Sequence, residues 1–315
     1  MQKVYAAAAR VFTHKIKNGG NPVTVFLLSA TNTTAKSPNE NFMNQLAQKC
    51  EWESVVVAKT TPPTLFFYMP SGEQVSFCAH AAMGAAAIMN QKLGMGNRLE
   101  NNSISLDFQT GEGDHNQVLI SSSSDGNATA ELKMKKDLKE SQVNFDIISK
   151  LLKEVGLDID QDVIRNGNDP FLNSSVARYK TLIPIESMEK LHSATNPKDP
   201  DLFRDLCDAI DSTGIYLYFK VESSHNNQYE ARQFPRASGY SEDPATGIAA
   251  AALACSLEKR NIYDGDSSIQ GGRQYIINQG TAMKKNSRCN IALDDQWIHC
   301  SGVVEVDREY HVELD

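Results

Sequence analysis

The segment from Asp243 to Gly247 has the clearest potential for chemistry. Asp243 is a favoured residue at a helix N-terminus, and Pro244 suits the first helical position because its missing N–H is not needed there. Gly247 leaves the first turn open to close approach by a ligand. Unsatisfied N–H groups and partial positive charge at a helix start suit a carboxylate or a phosphate. The pattern indicates an anion site, although capping of the helix by Asp243 alone explains the same residues.

A second segment of this kind begins at Cys78, Ala79 and His80. Both runs, Cys78–Met89 and Asp243–Cys255, consist of small and apolar residues with almost no charge, which predicts helices buried on every side. In a chain that is otherwise mostly β, each helix is expected inside a sheet that curls closely around it. One such helix in each half of the chain suggests an ancient duplication.

Short apolar runs between polar, turn-rich stretches predict the strands. They are Val23–Leu28, Ser54–Ala58, Thr64–Met69, Ser103–Phe108 and Ile215–Val221. Asn144–Val155 predicts an amphipathic helix that Gly156 ends. The polar tract Ser121–Asn127 indicates a boundary, with domains at residues 1–128 and 129–315 and the last strand allowed to return to the N-terminal domain.

Length and composition limit the class of protein. The chain has 315 residues, 41% hydrophobic and 22% charged, which suits two globular domains. Its net charge of -8 and the lack of a basic stripe argue against nucleic acid as a partner. No signal peptide and no membrane-spanning apolar run of roughly 18 residues is visible, so a cytoplasmic protein is expected. Six scattered cysteines, without zinc or disulfide spacing, fit a reducing compartment.

Several other kinds of site have no motif in the chain. There is no phosphate-binding loop, no Gly-x-Ser-x-Gly elbow and no metal-ligand spacing among the seven histidines. Gly94-Met95-Gly96 lacks the rest of a dinucleotide fingerprint. We therefore expect neither a metal nor a cofactor.

Several stretches, in a characteristic order, resemble the motifs of the phenazine-biosynthesis-like (PhzF-like) protein family. They are Gly20-Asn21-Pro22-Val23, Pro70 to His80, Phe234-Pro235 through Gly239, Glu242-Asp243-Pro244-Ala245-Thr246-Gly247, and Gln279-Gly280 with Met283 and Ser287. The Glu-Asp-Pro-Ala-Thr-Gly run is the most specific, and the matches span most of the chain.

This resemblance implies the diaminopimelate-epimerase-like α+β fold. Two pseudo-symmetric antiparallel barrels would each wrap a central helix, with the active site between them. Enzymes of the family catalyse isomerisation without metal, flavin or pyridoxal, and use carboxylates where racemases of this fold use a cysteine pair. The resemblance also implies a homodimer and a small anionic substrate in a biosynthetic process.

The resemblance assigns roles to individual residues. The acid/base glutamate of the family follows a helix and opens a strand, which favours Glu53, with Glu51 as the alternative after a small register error. A desolvated carboxyl holds a proton at neutral pH and can deliver it to carbon. Asp243 would bind polar groups of the substrate, and His80 would hydrogen-bond substrate or adjust the charge of the glutamate. A buried structural histidine remains the alternative for His80.

The residues expected to contact substrate lie mostly at the two helix starts. They are Gly20, Asn21, Cys78, Ala79, Thr246, Gly247 and Ile248. Gly20 and Asn21 would shape the wall of the cleft, and Gly247 would supply its backbone N–H to a carboxylate.

Three departures from the family pattern restrict the functional prediction. Ile248 stands where many relatives have serine, and Ala79 replaces the usual glycine. Cys78 occupies the position of the first racemase cysteine, but Ala245 stands at the second, which argues against a two-cysteine racemase. Cys78 is then a small buried residue rather than a nucleophile.

The expected function is a cofactor-independent isomerase that moves a proton on a small carboxylate or amino-acid-like substrate. Two alternatives stay open. One is an epimerase or dehydratase of hydroxylated amino acids, and the other is a non-catalytic binding or scaffold protein that retains the fold.

Overall fold

A computed structural model describes the chain over residues 2–15, 19–28, 39–58, 60–99, 103–122, 128–164, 171–221, 227–262 and 273–314. Within these ranges the protein is a mixed α+β fold with six helices. The chain forms two compact units, the first from Met1–Met134 with Ser301–Asp315 and the second from Lys135–Cys300. No helix in the described ranges is long and apolar enough to cross a membrane.

The first unit contains strands β1 to β9 and helices α1 and α2. In chain order they are β1 Gln2–Thr13, β2 Asn21–Leu27, α1 Glu40–Ala47, β3 Ser54–Ala58, β4 Thr64–Tyr68, β5 Gln74–Val75, α2 Ala79–Leu93, β6 Asn97–Arg98, β7 Ile104–Thr110, β8 His115–Ser122 and β9 Ala128–Lys135.

The second unit contains strands β10 to β16 and the other four helices. They are β10 Lys139–Gln142, α3 Phe145–Glu154, β11 Leu172–Ser175, β12 Lys180–Pro184, α4 Met188–Ser193, α5 Pro200–Asp208, β13 Gly214–Lys220, β14 Asn227–Pro235, α6 Gly247–Lys259, β15 Arg273–Gln279 and β16 Ser287–Leu293. The last strand, β17 Trp297–Leu314, begins in the second unit and continues into the first, where it pairs antiparallel with β1.

The order of strand pairings is similar in the two units. In the first, β2 and β3 are parallel across α1, β3 and β4 are antiparallel, β4 and β7 are parallel across α2, and β7 and β8 are antiparallel. In the second, β12 and β13 are parallel across α4 and α5, β13 and β14 are antiparallel, β14 and β15 are parallel across α6, and β15 and β16 are antiparallel. Each unit thus carries one helix between its second pair of parallel strands. The barrels and the pseudo-symmetry stay predictions.

These two helices, α2 and α6, are the buried helices that their composition predicts. Every residue of Ala79–Met89 and of Gly247–Leu257 is buried. Helix α2 packs against β1, β2, β3 and β8, and α6 packs against β11, β12, β15 and β16. A Cβ atom added to Gly84 of α2 would lie 2.8 Å from Cγ1 of Val23 in β2. Small residues are therefore required for the close approach of helix and strand.

The five strands predicted from apolar runs are all present, with ends that differ by at most two residues. The predicted amphipathic helix is confirmed as α3, capped by Asn144 and followed by Gly156 at φ 78°. The proposed domain division at 128/129 falls at the start of β9, whereas the compact units divide at Met134 and Lys135. Strand β9 extends the first unit because it pairs antiparallel with β8. Residues 123–127 of the predicted boundary tract lie outside the described ranges.

A buried carboxylate ties the C-terminal end of α6 to the strands of the second unit. The Glu140 side chain, 8% exposed, accepts a hydrogen bond from Ser174 at 2.9 Å and pairs with Lys259 of α6 at 2.8 Å. Burial raises the pKa of the Glu140 carboxyl, but the hydrogen bonds from Lys259 and Ser174 and the charge of Lys259 outweigh burial and lower this pKa below its ordinary value.

The substitution Ala86→Leu should destabilise the first unit by about 1–3 kcal/mol, because extra methylene groups have no room in a tightly packed core. Ala86 is fully buried on α2. Gln91→Leu, on the exposed end of the same helix, is the control and should change the free energy of unfolding by less than about 0.5 kcal/mol. Urea unfolding of the three proteins measures the difference, and equal effects of both substitutions would contradict the tight packing of α2.

Glu140 should make stability depend on acid pH. Because its folded-state pKa is depressed, its contribution is present above the unfolded-state pKa and is lost as pH falls through the folded-state pKa. Urea midpoints across the acid range should therefore fall more steeply for the wild type than for Glu140→Gln, and the two proteins should converge at the lowest pH. An unchanged slope in the variant would show that the Glu140 carboxyl is not stabilised in its ionised form.

Candidate active site

A glutamate, a cysteine and a histidine of the first unit meet in one buried cluster, here called the Glu53–Cys78–His80 cluster. The Cys78 sulfur lies 3.3 Å from His80 Nδ1 and 3.9 Å from Nε2. His80 Nε2 lies 3.9 Å from Glu53 Oε2. The three residues are only 5–6% exposed. The cluster therefore places a carboxylate, a thiol and an imidazole within reach of one another and largely away from bulk water.

Glu53 owes its position to the pairing of β2 with β3. It directly precedes β3, and its carbonyl oxygen accepts a hydrogen bond from the backbone N–H of Thr24 at 3.2 Å. Glu51, the alternative acid/base residue, is exposed. The fold therefore brings Glu53 to His80 and leaves Glu51 at the surface, while the catalytic role of Glu53 stays a prediction.

The start of α2 positions the other two members of the cluster. Cys78 is the N-cap residue, with extended backbone at φ -140°, and no side chain caps the helix there. A capping hydroxyl or carboxylate at this position would contribute about 1 kcal/mol. The chain instead has a thiol at the N-cap, and His80 follows in the first turn with its ring against that thiol.

Asn21, at the start of β2, also contacts the imidazole of His80. Its fully buried side chain places Nδ2 at 3.3 Å from His80 Nδ1. When Nδ1 accepts this amide hydrogen, the neutral ring carries its proton on Nε2, which faces Glu53. Gly20 has φ 87°, and a Cβ atom there would lie 2.7 Å from Cγ2 of Thr13. Only glycine fits the turn that leads into Asn21.

In the second unit, Asp243 lies in a tight turn that precedes α6. Its backbone N–H donates to Gln233 O at 3.0 Å in an isolated β-bridge. Its carboxylate accepts from the Ala245 N–H at 3.2 Å and from the Thr246 hydroxyl at 2.6 Å. The side chain that the sequence singled out thus shapes the turn in front of the helix.

The predicted start of α6 is wrong by three residues. The helix begins at Gly247 with Thr246 as its N-cap residue, so Asp243 is not the N-cap and Pro244 is not the first helical residue. The physical reason is the bridge to Gln233, which holds Asp243 in extended pairing and delays the first turn. Thr246 does not cap the helix with its side chain; its hydroxyl donates to Asp243 and accepts from the Gln279 amide.

Gln279, for which no role was predicted, joins the parts of this turn. Its side-chain amide donates to Asp243 O at 2.7 Å and to Thr246 Oγ1 at 3.1 Å. Its Oε1 accepts from the Thr246 N–H at 3.2 Å and from the Tyr216 hydroxyl at 3.0 Å. Burial raises the pKa of Tyr216 well above its usual value, so its hydroxyl stays protonated as a donor. The motif Gln279-Gly280 was the available signal, but only the structure shows what the glutamine contacts.

The remaining predicted contact residues of the second unit, Gly247 and Ile248, lie in the first turn of α6 and are both buried. Ile248 presents an apolar side chain at this position. Ala79 of the first unit is likewise buried in the first turn of α2.

A buried ion pair holds the residue before Asp243. Arg232 of β14 donates from Nε and Nη2 to the two carboxylate oxygens of Glu242, both at 2.8 Å. Its Nη1 donates to three carbonyl oxygens at the end of α4, those of Leu191, His192 and Ala194. Both side chains of the pair are less than 10% exposed. No sequence pattern indicated this pairing, which joins α4, β14 and the Asp243 turn.

Folding also brings together donors that could hold a metal ion. Within the described ranges, the ligand atoms of Glu53, Cys78 and His80 lie within 4.8 Å of one another. Sequence spacing shows no metal site because Glu53 and Cys78 are far apart along the chain.

Comparison with known proteins identifies the family and the fold. The profile described as phenazine biosynthesis-like protein (PhzC-PhzF) matches residues 9–309. The chain is similar to a Bacillus anthracis phenazine biosynthesis protein of the PhzF family, with TM-score 0.80, 18% identity and 100% of each chain covered. It is also similar to a Pseudomonas aeruginosa protein described as a "Predicted Epimerase", with TM-score 0.75, 17% identity and 100% of each chain covered.

A PhzF-family protein of Enterococcus faecalis has TM-score 0.69 and 16% identity, over 99% of this chain and 100% of the other. No curated protein gives a significant match. At these identities the structural likenesses establish the fold.

Removing one partner of the buried ion pair should destabilise the second unit strongly. Arg232→Met leaves the Glu242 carboxylate buried without its cation, which costs about 3–5 kcal/mol. The double variant Arg232→Met/Glu242→Leu removes that charge as well and should be more stable than the single variant. Urea unfolding compares the three proteins, and a double variant no more stable than Arg232→Met would show that the unpaired carboxylate is not the cause.

Proposed function

Because the chain belongs to the phenazine biosynthesis-like protein family, we propose that it is a cofactor-independent isomerase. It moves a proton on a small carboxylate or amino-acid-like substrate, with Glu53 as the general acid/base. The observation that carries this proposal is the buried contact between Glu53 and His80, with 3.9 Å between Oε2 and Nε2.

The surroundings of Glu53 suit a group that takes up and releases a proton. Burial disfavours the charged form of a carboxylic acid, and a nearby proton donor favours it. Both influences act on Glu53, which is 6% exposed and faces the His80 ring. A carboxyl balanced in this way serves as acid in one half of a proton transfer and as base in the other.

His80 acts as a partner of Glu53, not as the primary base. With Nδ1 facing the Asn21 amide, the neutral ring presents Nε2–H toward the carboxylate. This proton stabilises the carboxylate that remains after proton delivery, and it can equally hydrogen-bond a substrate oxygen. Asn21 therefore takes a positioning role, because it selects which ring nitrogen carries the proton.

In the second unit we propose that Asp243, Thr246 and Gly247 bind polar groups of the substrate. Hydrogen bonds among Asp243, Thr246 and Gln279 support this assignment because they fix the turn in one conformation. The N-terminus of α6 adds partial positive charge suited to a carboxylate. Ile248 lies in the first turn of α6 beside Thr246 and Gly247 and provides an apolar surface. This surface selects against substrates that would place a hydroxyl against Ile248.

Epimerisation is a second candidate, favoured by the likeness to the "Predicted Epimerase" of Pseudomonas aeruginosa. An epimerase returns the proton to the opposite face of the same carbon, whereas an isomerase delivers it to a different carbon. Substrate analysis separates them: inversion at the labelled carbon supports the epimerase, and a shifted double bond supports the isomerase.

Glu53→Gln should strongly slow solvent proton exchange, because the amide keeps the shape of the carboxyl but neither takes up nor releases a proton. We expect a loss of about 10²- to 10⁴-fold, the usual contribution of general acid/base catalysis. Proton NMR in deuterated water, with a panel of small amino, hydroxy and cyclic unsaturated acids, measures deuterium uptake at carbon.

The exposed neighbour variant Glu51→Gln is the control and should exchange at the wild-type rate. Exchange that survives in Glu53→Gln would move the role to Glu51 or Cys78. No exchange by the wild type with any compound of the panel would favour a non-catalytic binding protein.

A further inference from the structure

We propose that the Glu53–Cys78–His80 cluster is also a binding site for a soft divalent cation of the Zn²⁺ class, and that the bound cation blocks proton transfer there. The binding stands on the geometry of the cluster alone, whereas the blocking effect rests on the proposed function. Both follow from the same three donor atoms.

The chemistry of the donors selects the cation. Thiolate sulfur and imidazole nitrogen, joined by a carboxylate oxygen, are the ligands that Zn²⁺ prefers in proteins. Hard cations such as Mg²⁺ and Ca²⁺ require oxygen ligands in larger number. On binding, the Cys78 S–H bond breaks, its proton leaves to solvent, and sulfur bonds to the metal. A thiolate and a carboxylate then balance the two positive charges of the cation.

The three donor atoms lie near one another, at separations longer than those of a tetrahedral zinc site. Usual zinc–ligand bond lengths and tetrahedral angles separate neighbouring ligand atoms by roughly 3.3–3.6 Å. His80 Nε2 lies 3.9 Å from both the Cys78 sulfur and Glu53 Oε2. All three donor atoms lie within 4.8 Å of one another. Because the Cys78 sulfur lies nearer to Nδ1 of His80, at 3.3 Å, than to Nε2, the Cys78 and His80 side chains must rotate to complete the three-ligand site.

Asn21 completes the surroundings of such a site. A histidine that ligates through one ring nitrogen usually donates its other N–H to an oxygen, which fixes the ring. The Asn21 side-chain nitrogen lies 3.3 Å from His80 Nδ1. A 180° rotation of the Asn21 amide group presents its Oδ1 to a proton on Nδ1. Three protein ligands leave a fourth tetrahedral position open for water or a substrate carboxylate.

The same atoms cannot serve the metal and the proton at once. A Glu53 carboxylate bound to a cation neither accepts nor delivers a proton. When His80 ligates through Nε2, its ring proton lies on Nδ1 instead, so no Nε2–H remains to face Glu53 or a substrate. Zn²⁺ should therefore inhibit deuterium exchange at stoichiometric concentration, and a chelator should restore it.

Cobalt titration in the absence of substrate tests the binding independently of any activity. Co²⁺ replaces Zn²⁺ in such sites, and a cysteine ligand produces a thiolate-to-metal charge-transfer band in the near ultraviolet. The wild type should give this band with one equivalent of Co²⁺ and lose it on addition of Zn²⁺. Cys78→Ala should lack the band and bind Zn²⁺ more weakly by at least about 100-fold, beyond the roughly 10- to 100-fold effect of losing a hydrogen-bond partner of a ligand.

Cys255→Ala is the matched control, since Cys255 is also a buried cysteine on a buried helix, and it should retain the band. Cys78→Ser is close in shape to the wild type and should also lack the band. Circular dichroism of this variant would reveal any loss of the band through misfolding. Absence of the band in folded wild type, or its persistence in Cys78→Ala, would overturn the cation site. The exchange reaction should also be measured with wild-type protein freed of metal by a chelator. If this protein catalyses exchange and Zn²⁺ does not inhibit it, the blocking effect is overturned and the proposed function is left intact.

Discussion

Two helices enclosed on every side are the constraint to which the other features of the structure conform. A strand approaches α2 most closely where the helix has no side chain, as at Gly84, where a Cβ atom would lie 2.8 Å from Val23. Both helices are rich in alanine, and almost any larger side chain at such a contact would separate helix and strand. Because the helices cannot shift within their units, their first residues have fixed positions relative to the strands of the same unit.

The candidate functional groups lie where this constraint is strongest. Cys78 and His80 begin α2 beside Asn21 and Glu53, and Thr246 begins α6 beside Gln279. Neither helix has a side-chain cap, although capping would stabilise each helix by about 1 kcal/mol. The polar side chains at both starts instead bond to one another. Local stability is thus lower where function is proposed, as is common at functional sites.

Features that depend on local pattern could be predicted from the sequence. The five strands and α3 follow from short-range periodicity, and the burial of α2 and α6 follows from their lack of polar side chains. The start of α6 was not predictable in this way. Asp199-Pro200 begins α5 with aspartate as the N-cap, whereas Asp243-Pro244, the same dipeptide, precedes α6 by a turn. The difference is the bridge from Asp243 to Gln233, which only the fold provides.

The order of residues along the chain was enough to indicate the family, the α+β class, the two buried helices and the residue types that chemistry would need. Which of these residues meet depends on folding. Folding buried Glu53 against His80 and left Glu51 exposed, and it joined Arg232 to Glu242 and Gln279 to the Asp243 turn. Propensity and periodicity act over a few residues of chain, whereas these contacts arise from strand pairing and helix packing between segments distant in sequence. Their distances are set by the register of the strands, which local sequence does not encode.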